Sequence, residues 1–318
     1  MSIKTLAMSI KTLAGIELPG YMSKRRLIAN YFGLTAKTAF GSFRRGLKYR
    51  TFPFQSSYLP PGVWGQFTKG LEAYYEHVAA HYILDSFIVR RTMLPASSND
   101  MARFSKYRHI IADYFLGTEV PDRIQCVLEH VPTLFKGVDR QMLELWLWSY
   151  FYPFYLFRDR ISRDAVLDSI PVELGAGLGV FNLAIGGACS KRQTAIFDLP
   201  AVLHLQNIVS ELLTEQGFCV PTTDRVSNLP DLVVKTAGQR YSVMSYWAFT
   251  EFPLELRDQA VSLLQKSEFC LFASNPVFQG VDNRHYFEAL VAQMPGKKVH
   301  YAPIDWSPYS EHTYVLIK

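Results

Sequence analysis

The stretch PVELGAGLGVF, residues 171–181, sets three glycines at alternate positions directly behind an apolar run. Glycine has no Cβ, so a chain carrying Gly175, Gly177 and Gly179 can turn sharply and bring its backbone close to a ligand. Val172 and Leu174 read as the end of a buried strand, and FNLAIGGA, which follows, reads as the first turns of a helix. Strand, glycine turn and helix form the opening unit of a nucleotide-type binding fold. The plainer alternative is an ordinary tight strand-to-helix turn.

Spacing separates the ligand classes that such a loop serves. The dinucleotide fingerprint G-x-G-x-x-G would require a third glycine at position 180, where the residue is Val180. The glycines instead alternate, and Glu173 stands two places ahead of the first. This E-x-G-x-G-x-G arrangement resembles the first motif of the class I methyltransferases that use S-adenosylmethionine. On that resemblance Glu173, Gly175, Ala176, Gly177 and Gly179 are candidate cofactor-binding residues.

The next strand adds an acid at the expected place. In QTAIFDLPAVL, residues 193–203, the apolar run Ala195 to Phe197 ends on Asp198. An acid at the tip of the second strand, roughly 20 residues past the glycines, is where such folds hydrogen-bond a ribose hydroxyl pair. The tripeptide Asp198-Leu199-Pro200 is similar to that of small-molecule O-methyltransferases, including the plant phenolic group and bacterial proteins classed as sugar O-methyltransferases. VPTTDRVSNLP, residues 220–230, resembles the segment after the third strand in the same enzymes, where an acid meets the adenine amino group; Asp224 takes that place. A turn or capping Asp is the alternative for it. The resemblance also implies cofactor contacts from Leu199 and from Tyr246, at the end of the fourth strand.

From about residue 170 onward strand and helix patterns alternate, which predicts a parallel sheet with helices on both faces. Strands are expected at 171–174, 193–198, 217–222, 241–247, 267–274, 297–304 and 312–318, and helices at about 179–190, 200–216, 253–266 and 282–294. The stretch LVVKTAGQR looks longer than the connection between strands three and four needs. The expected fold class is α/β, and the resemblance implies a Rossmann-like seven-stranded class I methyltransferase sheet with an antiparallel last strand, preceded by a helical domain. The expected division is an extension at 1–20, a helical substrate-side domain at 21–165 and the S-adenosylmethionine domain at 166–318. In the helical block VDRQMLELWLWSYFY is apolar on most faces and should be deeply buried.

Length and composition fit a large buried core, since 49% of the 318 residues are hydrophobic and 14% aromatic. Cys126, Cys189, Cys219 and Cys270 are scattered without a C-x-x-C pair, which argues against a disulfide framework or thiolate metal site and fits a reducing cytoplasm. No segment has the roughly 20 apolar residues that span a bilayer, and no signal peptide is evident. LWLWSYFYPFYLF, the nearest approach, is short and interrupted by Pro153. The first 50 residues hold ten Lys or Arg against one acid, Glu17, a local charge of +9 that leaves about −4 of the overall +5 for the remainder. Such an arm suits an anionic membrane surface or an acidic glycan, with a solvated N-terminus as the plainer alternative. Nucleic acid is the weakest partner, because no recognition module is legible. MSIKTLA occurs twice, at 1–7 and 8–14, and is set aside from fold reasoning. Oligomeric state is left open.

Methyl transfer from a sulfonium to a hydroxyl is an in-line displacement in which positioning supplies much of the acceleration. The hydroxyl must also lose its proton to a placed base. SVMSYWAFTEFPLEL, residues 242–256, resembles the fourth-strand segment of the phenolic enzymes, but Phe249 stands where they carry a His base. Thr250-Glu251 matches the polar, acidic cluster of the sugar methyltransferases, which makes Glu251 the first base candidate; an acid beside a helix start at Pro253 is its structural alternative. His285 is the second candidate and His312 is less well placed. His77 and His81 share a helix face, but the glutamate precedes them, unlike H-E-x-x-H, so no metal is expected. Asp282 and Asp305 are the acids that keep a metal in play. The acceptor is expected to be a sugar hydroxyl of a cell-surface glycan or its precursor. A natural-product O- or N-methyltransferase and a non-catalytic partner subunit are the alternatives.

Overall fold

The computed structural model describes residues 98–135, 138–307 and 311–318, together with Thr68. The repeat, the basic arm, residues 21–97 of the helical block except Thr68, and the pair His77 and His81 lie outside the described residues.

The described chain opens with helices α1 (Ser98–Phe104), α2 (Arg108–Tyr114), α3 (Val120–Leu134), α4 (Arg140–Leu156) and α5 (Arg163–Asp168). Asp139 starts α4 by accepting from the Met142 N–H at 3.0 Å, and Ser162 starts α5 by accepting from the Ala165 N–H at 3.1 Å. As its composition predicts, α4 is buried on most faces. No helix among the described residues is long and apolar enough to cross a membrane.

Strands and helices then alternate: β1 (Ile170–Leu174), α6 (Val180–Ala188), β2 (Gln193–Phe197), α7 (Pro200–Glu215), β3 (Thr222–Val226), α8 (Leu229–Thr236) and β4 (Tyr241–Tyr246). There follow α9 (Ala248–Glu251), α10 (Leu254–Lys266), β5 (Cys270–Ser274), α11 (Asn283–Ala292), β6 (Val299–Pro303) and β7 (Thr313–Ile317). A small hairpin, Val277–Phe278 with Val281–Asp282, precedes α11. The seven strands form one sheet in the order β3-β2-β1-β4-β5-β7-β6. β1 to β5 pair in parallel, while β7 runs antiparallel to both β5 and β6. This is the Rossmann-like order of the class I methyltransferase fold.

Residues alternate between the two faces of the sheet, as period-2 side-chain geometry requires. Val172, Leu174, Val243, Phe272 and Val315 enter a core closed by residues of α8, α10 and α11. Met244, Leu271, Ala273 and Leu316 enter a second core, shared with α1 to α4, α6 and α7. That second core is continuous from Met101 to Leu316, so the helices ahead of β1 pack as a layer of the sheet's own sandwich.

Two expected elements shift. The third strand lies at Thr222–Val226, not 217–222, because Gly217 has a left-handed φ of +84° and Phe218 is drawn into the helical core. The stretch that looked like a long connection is α8, capped by Asn228, whose side chain accepts from the Asp231 N–H at 2.8 Å. The strand order reverses at β1, whose carboxyl end therefore opens the crevice where ligands of such sheets bind.

Candidate functional site

The crevice is floored by the glycine loop. Gly175, Gly177 and Gly179 all have left-handed backbones, with φ of +76°, +56° and +71°, which explains why glycine stands at each. The loop is fastened by the Gly175 N–H to the Phe197 carbonyl at 2.8 Å and by the Gly179 N–H to the Ala176 carbonyl at 2.9 Å. It is also pressed against the segment after β4: a Cβ on Gly175 would lie 2.2 Å from that of Ala248.

Two buried acids flank this loop. Asp198 follows β2, and its Oδ1 accepts from the Leu199 N–H at 2.8 Å. Its Oδ2 accepts from the Gly177 N–H at 3.1 Å and from Gln206 Nε2 at 3.4 Å. Glu173, in β1, accepts from Asn182 Nδ2. Burial pushes the Asp198 carboxyl up to about 7 against the opposing pull of the Leu199, Gly177 and Ala176 N–H groups. Burial also pushes Glu173 up to about 8; the Asn182 hydrogen bond opposes this and the Asp198 charge adds to it. Neither acid has an ion-pair partner among the described residues.

Aromatic rings close over Glu173. Tyr246, the last residue of β4, meets Tyr150 of α4 edge-on at 4.5 Å, donates its hydroxyl proton to the Tyr150 carbonyl, and packs on Phe181. Trp247 comes next, with a φ of +66°. A bulky residue there carries strain of roughly 1–3 kcal/mol and persists only where its surroundings hold it. Its N–H donates to the Ala273 carbonyl at 2.9 Å, its carbonyl accepts from the Thr250 N–H at 3.1 Å, and its indole N–H donates to His312 Nδ1 at 3.4 Å. Burial lowers the His312 pKa, and an acceptor Nδ1 places the ring proton on Nε2. His312 thus stands beside the crevice, nearer than its place in the sequence suggested.

Glu251 and His285 belong to the segments that follow β4 and β5, whereas Asp224 lies in β3. Glu251 ends α9 and is half-buried. His285 is exposed in the first turn of α11, its N–H capped by Asp282 at 3.0 Å. Asp224 sits within β3, opposite Ala195, and pairs with Lys235 of α8 at 3.2 Å. The shift of β3 by five residues takes it out of the loop where the sequence placed it. The structure brings Glu173, the glycine loop, Asp198, Leu199 and Tyr246 together at one crevice; it does not bring Asp224 to the acids. Asp305 accepts from Tyr107 and, at 3.5 Å, from Tyr152, while Asp282 caps α11. No group of three His, Cys, Asp or Glu placed to hold a metal occurs among the described residues.

Three residues escaped the sequence reading. Asn182 and Gln206 are buried polar side chains on α6 and α7 that reach the two acids. Their signal was an amide on an otherwise apolar helix stripe. Arg257 of α10 is fully buried and donates to the Thr250 carbonyl, to the Phe252 carbonyl at 2.8 Å and to Asn283 Oδ1 at 2.7 Å. Asn283 in turn donates to the Asn275 carbonyl at 3.0 Å, so Arg257 ties the segment after β4 to the segment after β5.

No protein-family model and no curated protein matches the chain. Solved structures similar to it include an rRNA methylase from Streptococcus thermophilus, at 12% identity over 49% of this chain and 90% of that one, TM-score 0.37. An O-methyltransferase family protein from Burkholderia thailandensis is 11% identical over 73% of this chain and 76% of that one, TM-score 0.36. A Streptococcus mutans protein in complex with SAH is 13% identical over 52% and 96%, TM-score 0.38. The strand order carries the fold assignment without them.

Proposed function

We propose that the chain is an S-adenosylmethionine-dependent methyltransferase that methylates a sugar hydroxyl of a cell-surface glycan or its precursor. The observation that carries this reading is the pair of buried acids, Glu173 and Asp198, set on either side of a three-glycine left-handed loop at the switch point of the sheet. The donor set fits the cofactor. Two buried carboxyls without a cationic partner among the described residues suit a ligand that brings an ammonium, a sulfonium and a ribose diol. The buried Asn182 and Gln206 carbonyl oxygens, without protein partners among the described residues, suit its donors. Asp198 would hold the ribose, the glycine loop would pass under the nucleoside and Glu173 would face the amino-acid end. When bound, the cofactor supplies an electrophilic methyl group.

On the acceptor side this chain offers the rim of β4 and β5. Phe249 is fully buried against Phe272, with ring centroids 4.9 Å apart, so the position that carries the phenolic enzymes' base is here part of the core. Glu251, held in place through the Arg257 network at Thr250 and Phe252, is the candidate to take the hydroxyl proton. Trp247 offers an indole for a sugar ring to pack on. The basic arm would draw an anionic acceptor or a membrane-borne precursor.

Isothermal titration with S-adenosylmethionine tests the donor reading. Asp198→Ala should weaken binding by about 2–4 kcal/mol, the cost of removing a charged acceptor from two hydroxyls. An unchanged dissociation constant in a folded variant refutes the ribose role. Turnover on a panel of nucleotide sugars and glycans, against phenols and amines, tests the acceptor.

A further inference from the structure

Asn182 and Gln206 are among the most buried polar residues described, 2% and 1% exposed. Each uses the nitrogen end of its amide and leaves the oxygen end empty. Asn182 Nδ2 donates to Glu173, while Asn182 Oδ1 has no hydrogen-bond partner among the described residues. Gln206 Nε2 donates to the Gly177 carbonyl at 2.8 Å and to Asp198 Oδ2 at 3.4 Å, while Gln206 Oε1 likewise has none. Buried side-chain carbonyls are nearly always paired, because an unpaired one forfeits its hydration with no return. Two such oxygens on two helices, each in an amide bonded to one of the two acids, therefore point to donors that come from outside the protein.

We propose that Asn182 and Gln206 are donor-binding residues, Gln206 Oε1 accepting from a ribose hydroxyl and Asn182 Oδ1 from the ammonium of the amino-acid end. The proposal rests on the S-adenosylmethionine reading and goes beyond it by dividing the ligand between two amides. Gln206 is placed at the nucleoside by its own bonds. One nitrogen spans the Gly177 carbonyl and the Asp198 carboxylate, and its side-chain carbons lie 3.7–3.8 Å from where a Cβ of Gly179 would be. A planar amide keeps its oxygen beside its nitrogen, so Oε1 stays next to the ribose acid. Asn182 stands at the other end, with Glu173, on the Tyr150 and Tyr246 side that faces the carboxyl end of β4. A cation arriving there meets both the Glu173 carboxyl and the Asn182 carbonyl. Each amide also donates a hydrogen bond to its acid, which helps to fix the acid's orientation.

Three probes separate these roles: S-adenosylmethionine, S-adenosylhomocysteine and 5′-methylthioadenosine, which keeps the nucleoside and lacks the amino-acid end. Calorimetric affinities are measured for the full chain and for Asn182→Leu and Gln206→Met, with urea unfolding to confirm that each variant is folded. Asn182→Leu should weaken the first two probes about 10- to 100-fold and leave methylthioadenosine within about threefold. Gln206→Met should weaken all three by about tenfold or more. In the wild type, methylthioadenosine should bind much more tightly than its 2′- or 3′-deoxy analogue, and in Gln206→Met that ratio should shrink, as for any two coupled groups. If Asn182→Leu does not fold, Asn182→Ala carries the same expectation. Wild-type affinities for all probes in folded variants overturn the proposal and leave ordered water as the partner of both oxygens. A parallel loss of all three probes in the Asn182 variant overturns its half. A wild-type chain that binds none of them defeats the methyltransferase reading itself.

Discussion

Glu173→Gln changes one oxygen into an NH₂ group and keeps the acceptor that Asn182 Nδ2 needs. In the folded, cofactor-free protein the Glu173 carboxyl ionises only at about 8, against 4.5 for the ordinary group, chiefly because it is buried and secondly because Asp198, which ionises first, lies near. A raised folded pKa means that the stability it contributes is complete below pH 4.5 and is lost as pH rises towards 8. Across that window stability falls by about 1.4 kcal/mol per pH unit, which amounts to about 3 kcal/mol between about pH 5.5 and about pH 8. Gln does not ionise, so the variant should lack this part of the decline and retain only the part due to Asp198. Urea unfolding of both proteins at the two pH values reads the difference directly from the midpoints, provided the slopes agree. At the alkaline end the variant should be the more stable of the two while binding S-adenosylmethionine more weakly. The bound cation favours an ionised Glu173, so cofactor binding near neutral pH should also release protons, which calorimetry in buffers of different ionisation enthalpy detects. Identical pH profiles for the two proteins refute the argument, because they would mean that Glu173 is hydrated or paired in the folded state.

Gly175→Ala meets Ala248 at 2.2 Å and must hold a φ of +76°, whereas Gly217→Ala has a φ of +84° and open space around it. The first should cost about 2–4 kcal/mol and the second about 1–2 kcal/mol, so similar thermal midpoints for the two would remove the Ala248 contact from the account. Arg257→Lys replaces a rigid fork with a single ammonium at a fully buried site and cannot serve the Thr250 carbonyl, the Phe252 carbonyl and Asn283 Oδ1 together. It should lower stability by about 2–4 kcal/mol in urea, and a midpoint unchanged from wild type would show that the three acceptors are satisfied without it.

The glycine loop and Asp198 were legible because each is demanded by backbone geometry. A left-handed φ at 175, 177 and 179 leaves glycine as the residue without steric cost, and an acid at a strand tip interrupts an apolar run. The parallel strands of the sheet's middle were legible as short apolar runs bounded by turns. β3 was misplaced because Phe218, Cys219 and Val220 look like a strand, yet they approach the sheet as extended chain and leave the pairing to Thr222–Val226, which is polar at an edge. α8 was missed because LVVKTAGQR reads only as an overlong connection, although Asn228 and the Pro230 behind it form a helix start and the β-branched Val233 and Val234 weaken the helical signal. Asn182 and Gln206 were overlooked for a different reason: an amide matters here through what it leaves unpaired, which depends on groups eight or more positions away along the chain. The distant pairing of Trp247 with His312 is hidden in the same way, since it arises only once β7 has entered the sheet between β5 and β6.

That insertion also orders the birth of the molecule. As the chain emerges during synthesis, β1 to β5 can assemble in parallel as soon as β5 appears, and β5 then presents an open edge. β6 comes out next, but in the finished sheet its partner is β7, which lies between it and β5. From the emergence of Ser274 until that of Thr313 the nascent sheet keeps a row of unpaired backbone groups along Cys270–Ser274. Open edges of this kind recruit strands from other chains. Lys297 and Lys298 just ahead of β6, and the absence of any fully buried residue along it where β7 has four, make β6 a poor substitute for β7 at that edge. The final strand is therefore the clasp of the sheet: until Thr313–Ile317 slips between its neighbours, the newborn protein is open to the wrong partner.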